Sequence, residues 1–285
     1  MEHAVTIVSK WKGMIDFERI IKSSRLYNFH SHTQFCDGYA PMEKFVEEAV
    51  KEGFTDYGFS PHSPIPFESP CNMSREAVAE YMSEFERLKT IYGNCLNLYS
   101  SMEIDYISKD WGPSNPYFDT IPLDYRIGSV HFIPAFDEED KYIDVDGRFQ
   151  TFKEKMQIFF HNDIEAVVRS FYKQSIDMVE AGGFDVIGHL DKIGHNAGHF
   201  KEGIEDEAWY EELFMQLFEA VMDNHLVIEV NTKAWKEHHR FFPNLKYFDL
   251  LKRSGATLLI NSDAHYPALI NAGRDDAMAL LCGDI

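Results

Sequence analysis

The chain has 285 residues, 47 of them acidic and 27 basic, and so a formal charge of −20 with its 13 histidines counted neutral. That balance excludes a protein that tracks nucleic-acid phosphates, which needs a basic face to displace counterions. A 45% hydrophobic and 14% aromatic composition excludes disorder. No apolar run approaches the roughly 18 residues of a membrane span, and charges interrupt the N-terminus before a signal-peptide core could form. The expectation is a soluble, cytoplasmic protein with neither nucleic-acid nor membrane partners. Cys36, Cys71, Cys95 and Cys282 are scattered without a CxxC pair and read as reduced thiols.

In chain order, a short apolar run at 27–31 reads as a strand. The helix predicted at 41–52 has Pro41 in its first turn, a face of Met42, Phe45, Val46, Ala49 and Val50, and Gly53 as terminator. A strand at 56–60 precedes a helix that follows Ser74 as N-cap, carries Val78, Tyr81, Met82, Phe85, Leu88 and Tyr92 as its stripe, and ends at Gly93. Strands at 97–104 and 125–132 lead to a helix at 163–181, closed by Gly182 and Gly183. A strand at 184–189, a helix at 205–224, a strand at 226–231, a helix at 244–253 and a strand at 256–262 complete the series. No linker or repeat divides it, so one domain over 1–285 is expected. Seven strands alternating with helices predict an α/β fold with a parallel sheet, closed into a barrel in preference to an open doubly wound sheet. In either case the C-terminal strand ends should carry the chemistry.

Those ends are rich in metal-competent side chains. They read His30-Ser-His32 with Asp37 just after, then His62, Glu103, His131, His189, and Asp263-Ala-His265; the remaining end offers the amide of Asn231. Residues two apart on an extended segment project from the same face, so His30 with His32, and Asp263 with His265, can grip one ion. Imidazole and carboxylate without thiolate suit Zn, Mn or Fe rather than calcium. Nine ligands exceed the needs of one ion and imply two or three divalent transition metals, with a carboxylate bridging. His3, His225, His238 and His239 read as surface or loop residues, His161 as a packing or capping residue, and His195 and His199 as loop residues over the site.

Together these motifs resemble the polymerase and histidinol phosphatase (PHP) family, in its histidinol-phosphatase branch. The matching runs are His30-Ser-His32-Thr with Cys36-Asp37-Gly38, Gly58-Phe-Ser-Pro-His62, Met102-Glu-Ile-Asp105 and Gly128-Ser-Val-His131. Gly188-His-Leu-Asp191, Glu229-Val-Asn-Thr232 and Asn261-Ser-Asp-Ala-His265 follow in family order. The resemblance implies a distorted (β/α)7 TIM-like barrel with a trinuclear site at the C-terminal strand ends. His30, His32, Glu103 and Asp263 would hold the first metal, Glu103 would bridge to a second held by His131 and His189, and Asp37, His62 and His265 would hold the third. Two departures stand out: Ser60-Pro61 where the family commonly places an acidic residue before the histidine, and an N-terminal extension, residues 1–26, of unassigned role.

The reaction so implied is hydrolysis of L-histidinol phosphate to L-histidinol and phosphate, a step of histidine biosynthesis, by a metal-bridging hydroxide. Lys192, His195, Lys233 and Arg240 are candidate contacts to this small phosphomonoester, and Asp263 or His195 would protonate the leaving oxygen. Three divalent ions less three carboxylates leave about +3 at the centre of an acidic protein. The other acidic groups would suit the cationic end of an aminoalcohol phosphate. The alternatives are a phosphoesterase of the same family acting on nucleotides or another small phosphomonoester, and a non-catalytic metal-binding module.

Overall fold

The computed structural model describes Trp11 and residues 13–282. His3 and most of the first twelve residues of the extension lie outside the described residues. The strands in chain order are β1 (Tyr27–Asn28), β2 (Asp56–Phe59), β3 (Asn97–Ser100), β4 (Glu103–Asp105), β5 (Ile127–Ser129), β6 (Phe132–Pro134), β7 (Tyr142–Asp144), β8 (Val186–Ile187), β9 (Val227–Asn231) and β10 (Leu258–Asn261). The helices are α1 (Phe17–Ser23), α2 (Met42–Lys51), α3 (Ala77–Tyr92), α4 (Phe149–Phe159), α5 (Ile164–Ala181), α6 (Ile193–Phe200), α7 (Ala208–Asp223), α8 (Trp235–His238), α9 (Phe248–Ser254) and α10 (Arg274–Cys282).

The fold is α/β with parallel sheets. One sheet runs β1-β2-β3 and the other β10-β9-β8-β5-β4, every neighbouring pair being parallel. The amphipathic stripes fold as their spacing requires: Met42, Phe45, Val46 and Ala49 of α2 are buried, as are Val78, Tyr81, Phe85 and Leu88 of α3. Helix α3 starts later than its cap suggests, because Ser74 Oγ accepts from Ala77 N at 3.2 Å and closes a turn first. Asp163 caps α5 through Ala166 N, and Gly183 follows it at φ +92°, where a Cβ would meet the backbone of Ser114 at 2.6 Å.

The run expected as one strand at 97–104 is two. At the break, Ser101 turns its backbone to the Tyr81 hydroxyl, which donates to Ser101 O at 2.8 Å and accepts from Ser101 N at 3.2 Å. One polar side chain thereby satisfies backbone groups that a ladder would otherwise pair. The strand changes partners there, β3 pairing with β2 and β4 with β5.

An unpredicted antiparallel hairpin, β6 with β7, follows His131 directly and delivers residues 144–148 to the same end of the sheets. The described part of the extension packs at the opposite end. Helix α1 buries Phe17 and Ile20, and the Phe17 ring lies 5.1 Å from Phe29 and 5.7 Å from Tyr125. Trp11 Nε1 donates to Asp185 at 2.9 Å while its ring lies 3.7 Å below the buried Arg126 guanidinium. Among the described residues, no helix is long and apolar enough to cross a membrane.

Candidate metal centre

Glu103, which opens β4, is the hub. Its Oε2 lies 3.2 Å from His30 Nε2, 3.5 Å from His32 Nε2 and 3.2 Å from His62 Nδ1. Its Oε1 faces the other way, 2.8 Å from His189 Nε2 and 3.5 Å from His131 Nε2, and accepts from Ser129 Oγ at 2.7 Å. The two oxygens of one carboxylate thus serve two groups of imidazoles. His32 Nε2 lies 3.1 Å from Asp263 Oδ1, so the two rings of the first strand end converge on the same pair of carboxylates. A further group forms around Asp37, whose Oδ2 is 3.4 Å from His265 Nε2 and whose Oδ1 is 3.6 Å from His32 Nδ1 and 3.8 Å from His62 Nε2.

In each of three groups the ligand atoms lie within 4.8 Å of one another: His30, His32 and Glu103; Glu103, His131 and His189; and His32, Asp37, His62 and His265. Nε2 of His30, Nε2 of His32, Nδ1 of His62 and Oδ1 of Asp37 are buried without a hydrogen-bond partner. An unpaired buried polar atom costs about 1–3 kcal/mol. Four on one centre fit divalent cations, which would take up those lone pairs.

Other carboxylates orient the rings from behind. Glu229 Oε1 is 2.6 Å from His30 Nδ1, and its Oε2 accepts from His189 N at 2.9 Å. Asp105 Oδ1 is 2.8 Å from His131 Nδ1. Such pairs fix ring orientation and raise ligand basicity. Sequence reasoning quoted both residues within motifs but gave them no role; Asp105 lies two positions after Glu103 on an extended segment, which was the available signal.

The carboxylates make the centre strongly attractive to positive charge. Burial opposes protonation of His131, yet Asp105 and Glu103 raise it to about 10. Burial likewise opposes a charge on His30, but Glu229, Glu103 and Asp263 lift it well above the ordinary imidazole range. His32 goes the other way, held well down by burial and by His265 and His62. Cys36 Sγ lies 3.5 Å from His32 Nδ1, but burial pushes its thiol up to about 12, which keeps it protonated rather than a thiolate ligand.

The PHP domain model matches residues 28–233, almost three quarters of the chain. The chain belongs to the PHP domain family. Histidinol-phosphatase of Bacillus subtilis is 26% identical to this PHP-domain chain over 253 residues, which is 83% of this chain and 92% of the relative. A solved Listeria monocytogenes chain superposes with a TM-score of 0.78 at 19% identity, covering 88% of this chain and 99% of that one. The Lactococcus lactis histidinol phosphate phosphatase, solved with zinc, L-histidinol and phosphate, gives 0.68 at 22% identity, with coverage of 90% and 92%.

Beside the metal centre, the PHP domain has a cavity of about 620 Å³ lined by Asp37, His62, His131, Asp263 and His265. A larger hollow of about 780 Å³ along residues 64–75 contains none of the centre's histidines or carboxylates. Of the residues that sequence reasoning assigned to substrate, Lys233 lines the cavity, its Nζ donating to Asp263 Oδ1 at 3.3 Å and lying 3.2 Å from His265 Nε2. Lys192 stands behind the wall, 3.4 Å from Asp146 Oδ2. Arg240 is not brought to the cavity: its guanidinium is held by Asp191 at 2.8 Å and Glu205 at 2.5 Å, which leaves it structural. His195 is also placed elsewhere, on α6 rather than in a loop, beside His199 and His238. Sequence reasoning missed Asp144, Asp146, Arg148 and Glu237, which line the cavity; the first three sit on or just after the hairpin, and no periodic pattern announced it.

Proposed function

We propose that this PHP-domain protein is a metal-dependent phosphomonoesterase that hydrolyses L-histidinol phosphate to L-histidinol and inorganic phosphate. The observation that carries the reading is the Glu103 carboxylate shared between two imidazole groups, with His30 Nε2, His32 Nε2 and His62 Nδ1 of the first group and the neighbouring Asp37 Oδ1 buried and unpartnered. The names and substrates of the relatives support the substrate. The chain is read as one domain, and the strands as a distorted seven-stranded barrel, with β3 and β4 as one interrupted strand. Bridges between Ser31 and Ala264, and between His62 and Glu103, support closure by linking the two sheets. A soluble biosynthetic enzyme of the cytoplasm accompanies this reading.

His30, His32, Glu103 and Asp263 would hold one ion, Glu103, His131 and His189 a second, and Asp37, His62 and His265 a third, of the Zn, Mn or Fe class. When bound, such ions supply Lewis acidity at the phosphoryl oxygens and bring the pKa of water towards neutrality. The chain's own groups bind and orient. Burial works against a charge on Lys233, but Asp263 and Asp146 raise its pKa, so Nζ stays cationic beside the centre and meets a phosphoryl oxygen. Of the two candidates for protonating the leaving oxygen, Asp263 and His195, Asp263 lines the cavity. Asp144, Asp146 and Glu237 form an acidic wall suited to the ammonium and imidazole end of the substrate, while Arg148 adds a second cation for phosphate.

The same acidic wall disfavours the second reading, a phosphoesterase for nucleotides, whose further phosphates or polyanionic chain it would repel. Phosphate release from L-histidinol phosphate, a nucleoside monophosphate and phosphoserine decides the matter. The expected kcat/KM favours histidinol phosphate at least tenfold; a preference for the nucleotide overturns the substrate assignment, and activity that survives complete metal removal overturns the chemistry.

A further inference from the structure

Outside the Glu103 centre, α6 and α8 bring three more imidazoles together. His195 and His199 stand four positions apart, so both project from one face of α6. His238, the last residue of α8, comes up against them. The ring centroid of His195 lies 4.8 Å from that of His199 and 4.6 Å from that of His238. One ring nitrogen of each residue lies within 4.8 Å of the other two. Among the described residues none of the three rings has a hydrogen-bond partner, and the carboxylate of Glu237 approaches His238 Nε2 only to 3.9 Å.

We propose that His195, His199 and His238 form an accessory site for one divalent transition-metal ion, distinct from the Glu103 centre and held by three neutral imidazoles. Three nitrogens with no carboxylate among them select the Zn, Ni, Co and Cu class and reject calcium and magnesium, which want oxygen. Burial and the neighbouring His238 and His199 hold His195 down to about 4, so its lone pair is available at neutral pH. Three ligands leave the ion an open position. His199 and His238 are exposed, so the site exchanges with solution rather than trapping its ion.

The position gives the ion a mechanical consequence. Helix α8 belongs to the segment that carries Lys233 and Glu237, both of which line the cavity. Helix α6 is tied to the wall on the other side, where Asn196 donates to Val145 O at 3.1 Å, next to Asp146. An ion on the three histidines clips the two together and stiffens that side of the cavity.

The test uses zinc-loaded protein, freed of excess metal and titrated calorimetrically with nickel. Wild type should take up one further nickel per chain. His199→Gln and His238→Gln, both at exposed positions, should each weaken that uptake at least tenfold, while His161→Gln, which belongs to neither cluster, should bind as wild type does. Thermal melting of the variants before nickel is added, unchanged from wild type, shows that the fold persists. A wild-type protein that takes up no further nickel overturns the site, as does full uptake by both cluster variants. Substrate turnover is not the readout, so this failure leaves the phosphatase reading untouched.

Discussion

Two histidine-rich regions of one molecule differ less in the number of imidazoles than in what stands behind them. Around Glu103 the rings of His30, His32, His131 and His189 are buried and share a carboxylate, and His30 and His131 are held from the rear by Glu229 and Asp105. At His195, His199 and His238 the rings meet no carboxylate inside 3.9 Å among the described residues, and two of the three face solvent. Histidines alone make a place where an ion can sit. Carboxylates that share, orient and balance charge are what would let such a place take more than one ion, as the proposed function requires, and polarise what binds there.

Glu103→Gln is the severest way to break that contrast. The amide keeps the shape but loses the shared negative charge. Turnover should fall about a thousandfold or more, corresponding to several kcal/mol of lost stabilisation, and metal analysis should find at least one ion fewer per chain. Near-normal activity with full metal content would remove Glu103 from its place as the hub. Asp105→Asn acts one layer further out. With the charge behind His131 gone, metal retention under chelator dialysis or turnover should drop about 10–100-fold, and nickel uptake at the three-histidine cluster should stay as in wild type. A loss in both places would mean that the two regions are coupled.

The smallest effect concerns acid stability. His195 has a folded pKa of about 4, below the ordinary 6.5, so as pH falls through 6.5 the unfolded chain takes up a proton that the folded chain refuses. Stability contributed by the neutral ring is therefore present above pH 6.5 and lost progressively towards pH 4. His195→Gln should flatten this part of the decline by about 1 kcal/mol at pH 5, a figure already reduced for the ring's partial exposure. Denaturant midpoints at pH 7 and pH 5 measure it, and an identical slope in both proteins would show that His195 titrates normally.

Much of the centre was legible because a strand's end is marked twice, by the close of an apolar run and by the polar residue that follows. His30, His62, His131, His189 and Asp263 all stand just beyond a strand, as their runs suggested. Glu103 is the exception, since it opens β4 after a break that depends on Tyr81, a residue 22 positions earlier whose stripe position declares it only as core. The carboxylates behind the rings were illegible for a related reason. Glu229 reaches His30 across 199 residues, a partnership set by which strands fold side by side. Hairpin β6–β7 is too short for periodicity to register, and with it the acidic wall stayed hidden. Arg240 looked like an anion contact because a sequence does not show that Asp191 and Glu205 already occupy its guanidinium.

Helix α1 packs against Phe29, the residue immediately before the first metal-ligand candidate, and Met14 N donates to Asp124 O ahead of β5. That end of the sheets faces away from the cavity. Substitutions at the described residues 13–16 are therefore separated from the chemistry by the length of the strands. For the experimenter, a fluorescent reporter on the exposed side-chain position of Met14 leaves the substrate's approach open. Cutting the helix away would instead strip the cover from Phe29 and Tyr125 and invite the strand starts to stick to one another.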